Sequence, residues 1–433
     1  MTHLKTLGTF ILFFSLPLVA SLKGKGIVVS FLLAFFLFEG PSVVIQFIRQ
    51  KKWQQYGWTA ISYLVFIFLV FAPRTQMDFL HLIRMLALGL IGVLSFEGIK
   101  RLPLSDREKI SYIFFQGYIF YLVFFLAELY GGHWVSSLIT GSLYYNENLF
   151  IRGVVILTFL FLPFSWYLVQ KYKGHSRQIL VGVSALSLLL VVLKAQPSAA
   201  RLAIALSVSF GILTFFFKRS GQAIIAVVSL YAFLIPVIIL SAFNRQTLFD
   251  HLHHLPPSYQ HRVQIWHEIS QHVFRKPLSG HGFGQASKLK EAPPLCIHHK
   301  TTYFQKVEEK IRTVPDSPFV KKIHSTTPYV WGGVICYNES ILSRHPHNGA
   351  LQIWLELGLW GIVIGAFLLY KLGQYASKKE PIYRAYLYAL GGLALVYWNV
   401  SFGLWQNWMI TVVALTFLLF QLIKVLPSEE RKI

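Results

Sequence analysis

Long apolar runs, almost free of charge, return along this 433-residue chain from its N-terminus to its C-terminus. Each is close to the ~20 residues that an α-helix needs to cross a bilayer, where every backbone N–H and C=O must be satisfied within the segment itself. On that length rule we predict about twelve spans. They fall near 7–22, 26–47, 57–73, 79–98, 110–130, 150–170, 179–193, 201–217, 222–242, 349–370, 384–400 and 405–425. The runs are hydrophobic all round rather than along one stripe, which separates spanning helices from helices that cover a soluble core. Composition agrees, because 55% hydrophobic residues, 13% charged residues and a mean hydropathy of +0.53 exceed what one or two soluble cores could hide. The predicted fold class is an all-α polytopic membrane protein.

The first span is expected to be retained rather than cleaved as a signal peptide. No small-residue cleavage site follows Leu22, and Lys23 and Lys25 lead straight into the next apolar run.

A net charge of +22 could point to nucleic acid, but the basic residues stand mainly in short connectors between spans, where they set orientation. Placing the N-terminus inside gathers Arg49, Lys51, Lys52, Lys100, Arg101, Lys171, Lys173, Lys218, Arg219, Lys378 and Lys379 on the cytoplasmic side. Few basic residues are left for the short outer connectors. The chain then divides into a bundle of about nine spans over 1–243, one large external loop over 244–348, and a bundle of about three spans over 349–433 with a short cytoplasmic tail. Both cysteines, Cys296 and Cys336, fall in that loop, which suits an oxidising compartment. Either a disulfide or two separate thiols fits the sequence.

Loops longer than about 15 residues inside a compact architecture are usually functional or disordered. This one carries its own helical signal. Val263, Trp266, Ile269 and Val273 recur at spacings of three and four, so a helix with one apolar face is predicted over 260–275, ended by Lys276-Pro277. It would lie across the outer mouth of the bundle, with Arg262 one turn before Trp266.

His347 stands where the loop enters the next span. An imidazole there can take a proton from a hydroxyl that is becoming a nucleophile, or can merely sit at a wet helix entry. Asn348 is suited to cap that span. Asn348, Gln352 and Glu356 follow at intervals of four and form a polar stripe on an otherwise apolar helix, which opens His347 onto a polar cleft. Arg262 and Arg201 are candidates for binding a diphosphate through planar, permanently charged forks. Arg201 follows Gln196-Pro197-Ser198-Ala199-Ala200 at the outer end of a span, where headgroup snorkelling is the alternative.

The alternating glycines of Pro277-Leu278-Ser279-Gly280-His281-Gly282-Phe283-Gly284 could bring backbone N–H groups to an anion, or could simply turn the chain after the helix. His251, His253, His254, His298 and His299 match none of the usual zinc spacings, so no metal site is assigned. Glu39, Glu97 and Glu128 lie within predicted spans and are further candidates by location. Most of the 37 Phe, 21 Tyr and 11 Trp are assigned to interfacial belts and lipid-facing surface.

Three stretches together resemble the O-antigen ligase and polymerase superfamily of bacterial envelope enzymes. These are Arg262-Val263-Gln264-Ile265-Trp266 with the 277–284 segment, then His345-Pro346-His347-Asn348 with Leu351, Glu356, Gly358 and Gly361, and more loosely Ser198-Ala199-Ala200-Arg201. The plan of spans with one large loop before the last three is similar too. The resemblance implies a GT-C-type, metal-independent, inverting glycosyltransferase in the bacterial inner membrane, with its active site facing the periplasm and no cofactor. It implies an undecaprenyl diphosphate-linked glycan as donor and a lipid A-core hydroxyl as acceptor, with membrane lipids around the protein and no nucleic acid partner. By position, His347 would activate the acceptor hydroxyl and Arg262 and Arg201 would hold the diphosphate, with Asn348 and Trp266 beside the substrate. A polysaccharide polymerase and a protein O-oligosaccharyltransferase would need the same donor. A flippase or transporter is the non-enzymatic rival, but it should place its key polar residues in discontinuous helices near mid-membrane.

Overall fold

The computed structural model describes Thr9, Leu12, Phe13 and Ala34 together with residues 79–132, 147–195, 198–242, 257–284, 294–298, 329–331, 334–340 and 346–423. Of the twelve predicted spans, those at 7–22, 26–47 and 57–73 lie outside the described residues apart from these four single positions. Every predicted span from residue 79 onward coincides with a helix. These are α1 (Phe79–Arg101), α2 (Leu104–Tyr130), α3 (Glu147–Lys171), α4 (Gly174–Ala195), α5 (Ser198–Phe216) and α6 (Ser220–Ala242). The loop contributes α7 (Pro257–Arg275), and α8 (Gly349–Ser377), α9 (Pro381–Val396) and α10 (Asn407–Ile423) complete the chain, with a π-helical turn at Tyr397–Ser401 after α9. Six of these helices are long and apolar enough to cross a membrane: α2, most of α3, α4, α5, α6 and α8.

The loop also holds strands, which the all-helical expectation did not include. Pro294–His298 (β1), Tyr329–Trp331 (β2) and Val334–Ser340 (β3) form a small antiparallel sheet in the order β1-β3-β2. The β-branched and aromatic content of Tyr329-Val330-Trp331 and Val334-Ile335-Cys336-Tyr337 favours that extended form. Its register sets Cys296 directly across from Cys336.

Small residues let the helices approach closely, as expected where burial from lipid gives little drive and van der Waals contact must hold the bundle. Antiparallel α5 and α9 show this best. Gly211 faces Ala385 and Ala389, and a Cβ at Gly392 would lie 2.9 Å from Ser207 Cα. At one end of the pair, buried Arg384 donates to the last carbonyls of α5, Thr214 O at 2.7 Å and Phe215 O at 3.3 Å, which have no partner within their own helix. By the same register, Arg201 on the first turn of α5 lies at the level of the π-helical turn.

Many aromatic residues expected at the lipid interface are instead interior. Tyr118, Tyr121, Phe125, Phe159 and Phe164 are almost fully buried between α2, α3 and their neighbours. The rings of Tyr118 and Phe164 stack with centroids 4.2 Å apart, and the Tyr121 hydroxyl donates to Gly153 O at 2.9 Å. Large flat side chains supply the dispersion contact that fills such an interior. A second apolar cluster joins α6, α7 and α8 through Ile235, Ile239, Ile265, Ile269, Val273, Leu351, Trp354 and Leu355.

Candidate functional site

The predicted loop helix forms as α7, three residues longer at its start and ending at Arg275 as expected. Val263, Ile269 and Val273 are buried, and Trp266 packs against the cluster shared with α6 and α8. The Trp266 indole N–H donates to Pro346 O at 3.0 Å, which ties α7 to the residue before His347.

His347 is half-buried where this loop, the start of α8 and the π-helical turn meet. Its φ of 52° makes it the one non-glycine residue with positive φ among those described. Such a conformation costs free energy unless the surroundings enforce it. The enforcing contacts lie on either side, at Pro346 through Trp266 and at Asn348 through the helix cap.

His347 Nδ1 lies 2.9 Å from Ser401 O. A carbonyl only accepts, so Nδ1 carries the proton and, in the neutral ring, the lone pair resides on Nε2. Ser401 ends the π-helical turn, a local widening often found at functional positions. Burial holds the His347 pKa below its ordinary value of 6.5; the Ser401 carbonyl raises it in part, and the nearby Arg262 cation lowers it further. The imidazole is therefore biased to its neutral form at neutral pH. Arg262, on α7, is partly buried, and its guanidinium lies 5.7 Å from the centre of the Tyr259 ring.

Asn348 caps α8 as predicted, its side-chain oxygen accepting from Leu351 N at 3.0 Å. Its amide nitrogen donates to the Tyr231 hydroxyl at 3.0 Å, which seats the corner against the middle of α6 rather than its end. Asn399 from the π-helical turn accepts from Ala350 N at 3.3 Å. Two of the orphan N–H groups at the start of α8 are thus taken by side chains. Trp354, one turn on, donates to Ala232 O at 2.7 Å, the carbonyl that Pro236 leaves without an intrahelical partner in α6.

The glycine-alternating segment turns its N–H groups onto α8, at His281 and Gly282 to backbone carbonyls and at Gly284 to the Glu356 carboxylate. It fills a break in α8. Gly358 has φ 66° and ψ −157°, which interrupts the helix and strands backbone groups on both sides. His281 N donates to Leu355 O at 2.7 Å, Gly282 N to Glu356 O at 3.0 Å, and Leu359 N to Pro277 O at 2.8 Å. The two chains touch backbone to backbone, and a Cβ on Gly358 would lie 2.6 Å from Gly280 N. Gly280 itself has φ 64°, so both positions exclude side chains by conformation and by space.

Glu356 is 1% exposed beside this break. Its carboxylate accepts from Gln352 Nε2 at 3.1 Å, Trp405 Nε1 at 2.7 Å and Gly284 N at 3.0 Å. The predicted polar stripe of Asn348, Gln352 and Glu356 thus exists, and it faces protein.

The structure brings His347, Arg262, Trp266 and Asn348 together. Arg201 is exposed at the same end of the bundle, with no hydrogen bond or ion pair to another described residue. Of the other candidates, Glu97 is an exposed partner of Lys100 at 2.6 Å, Glu128 is buried in α2, and Glu39 lies outside the described residues. His251, His253, His254 and His299 also lie outside them. Among the described residues, no cluster of His, Cys, Asp and Glu could hold a metal ion. Sequence reasoning missed Tyr231, Asn399, Ser401 and Trp405. Asn399 is a polar residue within the predicted span 384–400, and Ser401 stands just past its end; that was the available signal.

No known family pattern matches the chain. It is similar to proteins from Rickettsia described as "Putative polysaccharide ligase". The protein of Rickettsia bellii is 24% identical over 359 residues, covering 82% of this chain and 75% of the relative. That of Rickettsia prowazekii is 25% identical over 278 residues, covering 64% and 52%, and that of Rickettsia felis is 28% identical over 156 residues, covering 36% and 30%. The chain thus spans three quarters of the first relative and about half or less of the other two. The similarity supports a ligase-like family, and several long apolar helices make this a multi-pass α-helical membrane protein.

Proposed function

We propose that this chain is an O-antigen ligase-type enzyme. It is a GT-C-type inverting glycosyltransferase that moves a glycan from undecaprenyl diphosphate to a lipid A-core hydroxyl at the periplasmic face of the bacterial inner membrane. The observation that carries the reading is the His347 corner, where a neutral imidazole is held in one tautomer by the Ser401 carbonyl beside the Arg262 cation. The polysaccharide ligase description of the Rickettsia relatives supports the substrate class.

In this reading the acceptor hydroxyl oxygen attacks the anomeric carbon while its proton passes to His347 Nε2. The bond from that carbon to the diphosphate oxygen breaks, and the electron pair stays on the departing oxygen. Arg262, joined by Arg201, stabilises the charge gathering there, the electrostatic part that a divalent ion takes in other transferases. One displacement inverts the anomeric centre. Trp266 donates to Pro346 O and Asn348 to the Tyr231 hydroxyl, and with these bonds they hold the corner that the substrate meets.

The test uses purified protein in detergent with a lipid-linked glycan donor, lipid A-core acceptor and EDTA. Transfer to the acceptor is expected, and it should fall ~10²- to 10⁴-fold in His347→Asn, the range for loss of a general base. Full activity in His347→Asn would remove the base assignment. Polymer growing on the donor lipid with none on the acceptor would make the enzyme a polymerase.

A further inference from the structure

We infer that Glu356 is a positioning residue for His347, acting through the turn that carries the Ser401 carbonyl; this rests on His347 being the base. The Glu356 carboxylate is surrounded by three donors from three segments: Gln352 within α8, Gly284 from the glycine segment, and Trp405 from the turn before α10. Gln352 in turn accepts from Leu404 N at 2.9 Å through its own oxygen. The Gln352–Glu356 pair therefore anchors both Leu404 and Trp405, three and four residues beyond the Ser401 carbonyl that holds His347 Nδ1.

The chemistry of the pair is directional. Gln352 Nε2, Trp405 Nε1 and Gly284 N all donate to position 356, so these three bonds call for an acceptor there. An amide there would turn an NH2 group toward the Gln352 NH2, whose oxygen is already engaged by Leu404 N. Both cannot be satisfied, and a buried donor is left unmet in the turn whose further ties include Phe402 N to Tyr397 O at 2.9 Å and Gln406 N to Gly403 O at 3.2 Å. Freed from its anchor, the Ser401 carbonyl no longer selects one tautomer of His347.

Exchange of the two side chains provides the decisive variant. In Glu356→Gln with Gln352→Glu, the amide at 356 donates to the carboxylate at 352, which also accepts from Leu404 N. The amide oxygen at 356 then takes Trp405 and Gly284. All four hydrogen bonds are re-formed with the same atoms in total.

The experiment reads the 15N resonances of histidine-labelled protein, with His347 identified by its loss in His347→Asn, alongside kcat and KM for transfer. The wild type should show a single His347 tautomer protonated on Nδ1. Glu356→Gln should show mixed tautomers and a kcat lowered ~10- to 100-fold at little changed KM, the usual cost of losing an orienting partner. Trp405→Phe should give the same change at smaller amplitude, and it decides the matter if Glu356→Gln does not fold. The exchange variant should recover the single tautomer and most of kcat. A single Nδ1-protonated tautomer retained in Glu356→Gln, or in Trp405→Phe, overturns the inference. If the wild type transfers no glycan, the proposed reaction falls, while the tautomer result still decides the positioning role.

Discussion

The interior between α2 and α3 and the corner around His347 are both buried, yet they are held by different physics. The first is filled by rings and branched side chains, with few polar contacts such as Tyr121 on Gly153. Its cohesion is the sum of many weak, non-directional contacts, so it tolerates small losses. The second is stitched by single hydrogen bonds that each join different segments: Trp266 to Pro346, His347 to Ser401, Asn348 to Tyr231, Trp405 to Glu356. Removing one of these leaves a specific partner unmet. Interior packing sets how stable the bundle is, and the corner sets where one imidazole points.

That division can be broken by substitution, and the largest separation should come at His347. His347→Asn, whose side chain tolerates positive φ, should lose most of the transfer activity while the thermal midpoint in detergent stays near wild type. A large drop in that midpoint would show that the corner is a stability element after all. Gly358→Ala should come next and damage both properties, since a methyl there meets backbone at Gly280 and Leu278 and the residue sits at positive φ. We expect ~2 kcal/mol or more of destabilisation, read from the detergent unfolding midpoint, together with loss of transfer in the folded fraction.

Phe125→Ala, which empties a site between α2 and Gly153 of α3, tests the opposite region. Emptying a fully buried ring site should cost ~3–5 kcal/mol, yet the protein that remains folded should keep near-normal kcat. Arg262→Ala sharpens the electrostatic side. Because the Arg262 cation lowers the His347 pKa, its removal should raise that pKa, so activity disappears at a higher pH on acidification than in the wild type. Arg262→Lys keeps the charge and should keep the acid limb in place. The smallest effect belongs to Tyr121→Phe, where one hydrogen bond is lost at ~1 kcal/mol with activity unchanged.

Spans were legible in the sequence because a bilayer imposes length and all-round apolarity, and each run from residue 79 onward that met this rule is a helix. The loop helix was legible for a related reason, since Val263, Ile269 and Val273 repeat at its period. Capping by Asn348 followed from local chemistry. The break in α8 was not legible, although Gly280, Gly282 and Gly358 were each visible. Their meaning depends on two chain segments nearly 80 residues apart meeting backbone to backbone, and no local pattern encodes that. The π-helical turn was hidden for the same reason, as Ser401 matters through its carbonyl, a group every residue has. The sheet was missed because its strands are short and lie in a loop read for its histidines. Its register makes one consequence checkable. Directly opposed antiparallel residues have Cα atoms ~4.5–5.5 Å apart, within disulfide reach, so protein from an oxidising compartment should yield a Cys296–Cys336 linked peptide on non-reducing digestion.

Gly280 and Gly358 each lie against the backbone of the opposing segment, Gly280 on Glu356 and Leu357 and Gly358 on Leu278 and Gly280 N, so closely that neither has room for a side chain while the two segments cross as they do. Across descendants of this gene the two codons are bound into a single inherited trait. Lineages should keep both or abandon both, and a lineage that abandons them must find another way to close the gap in the helix that follows His347.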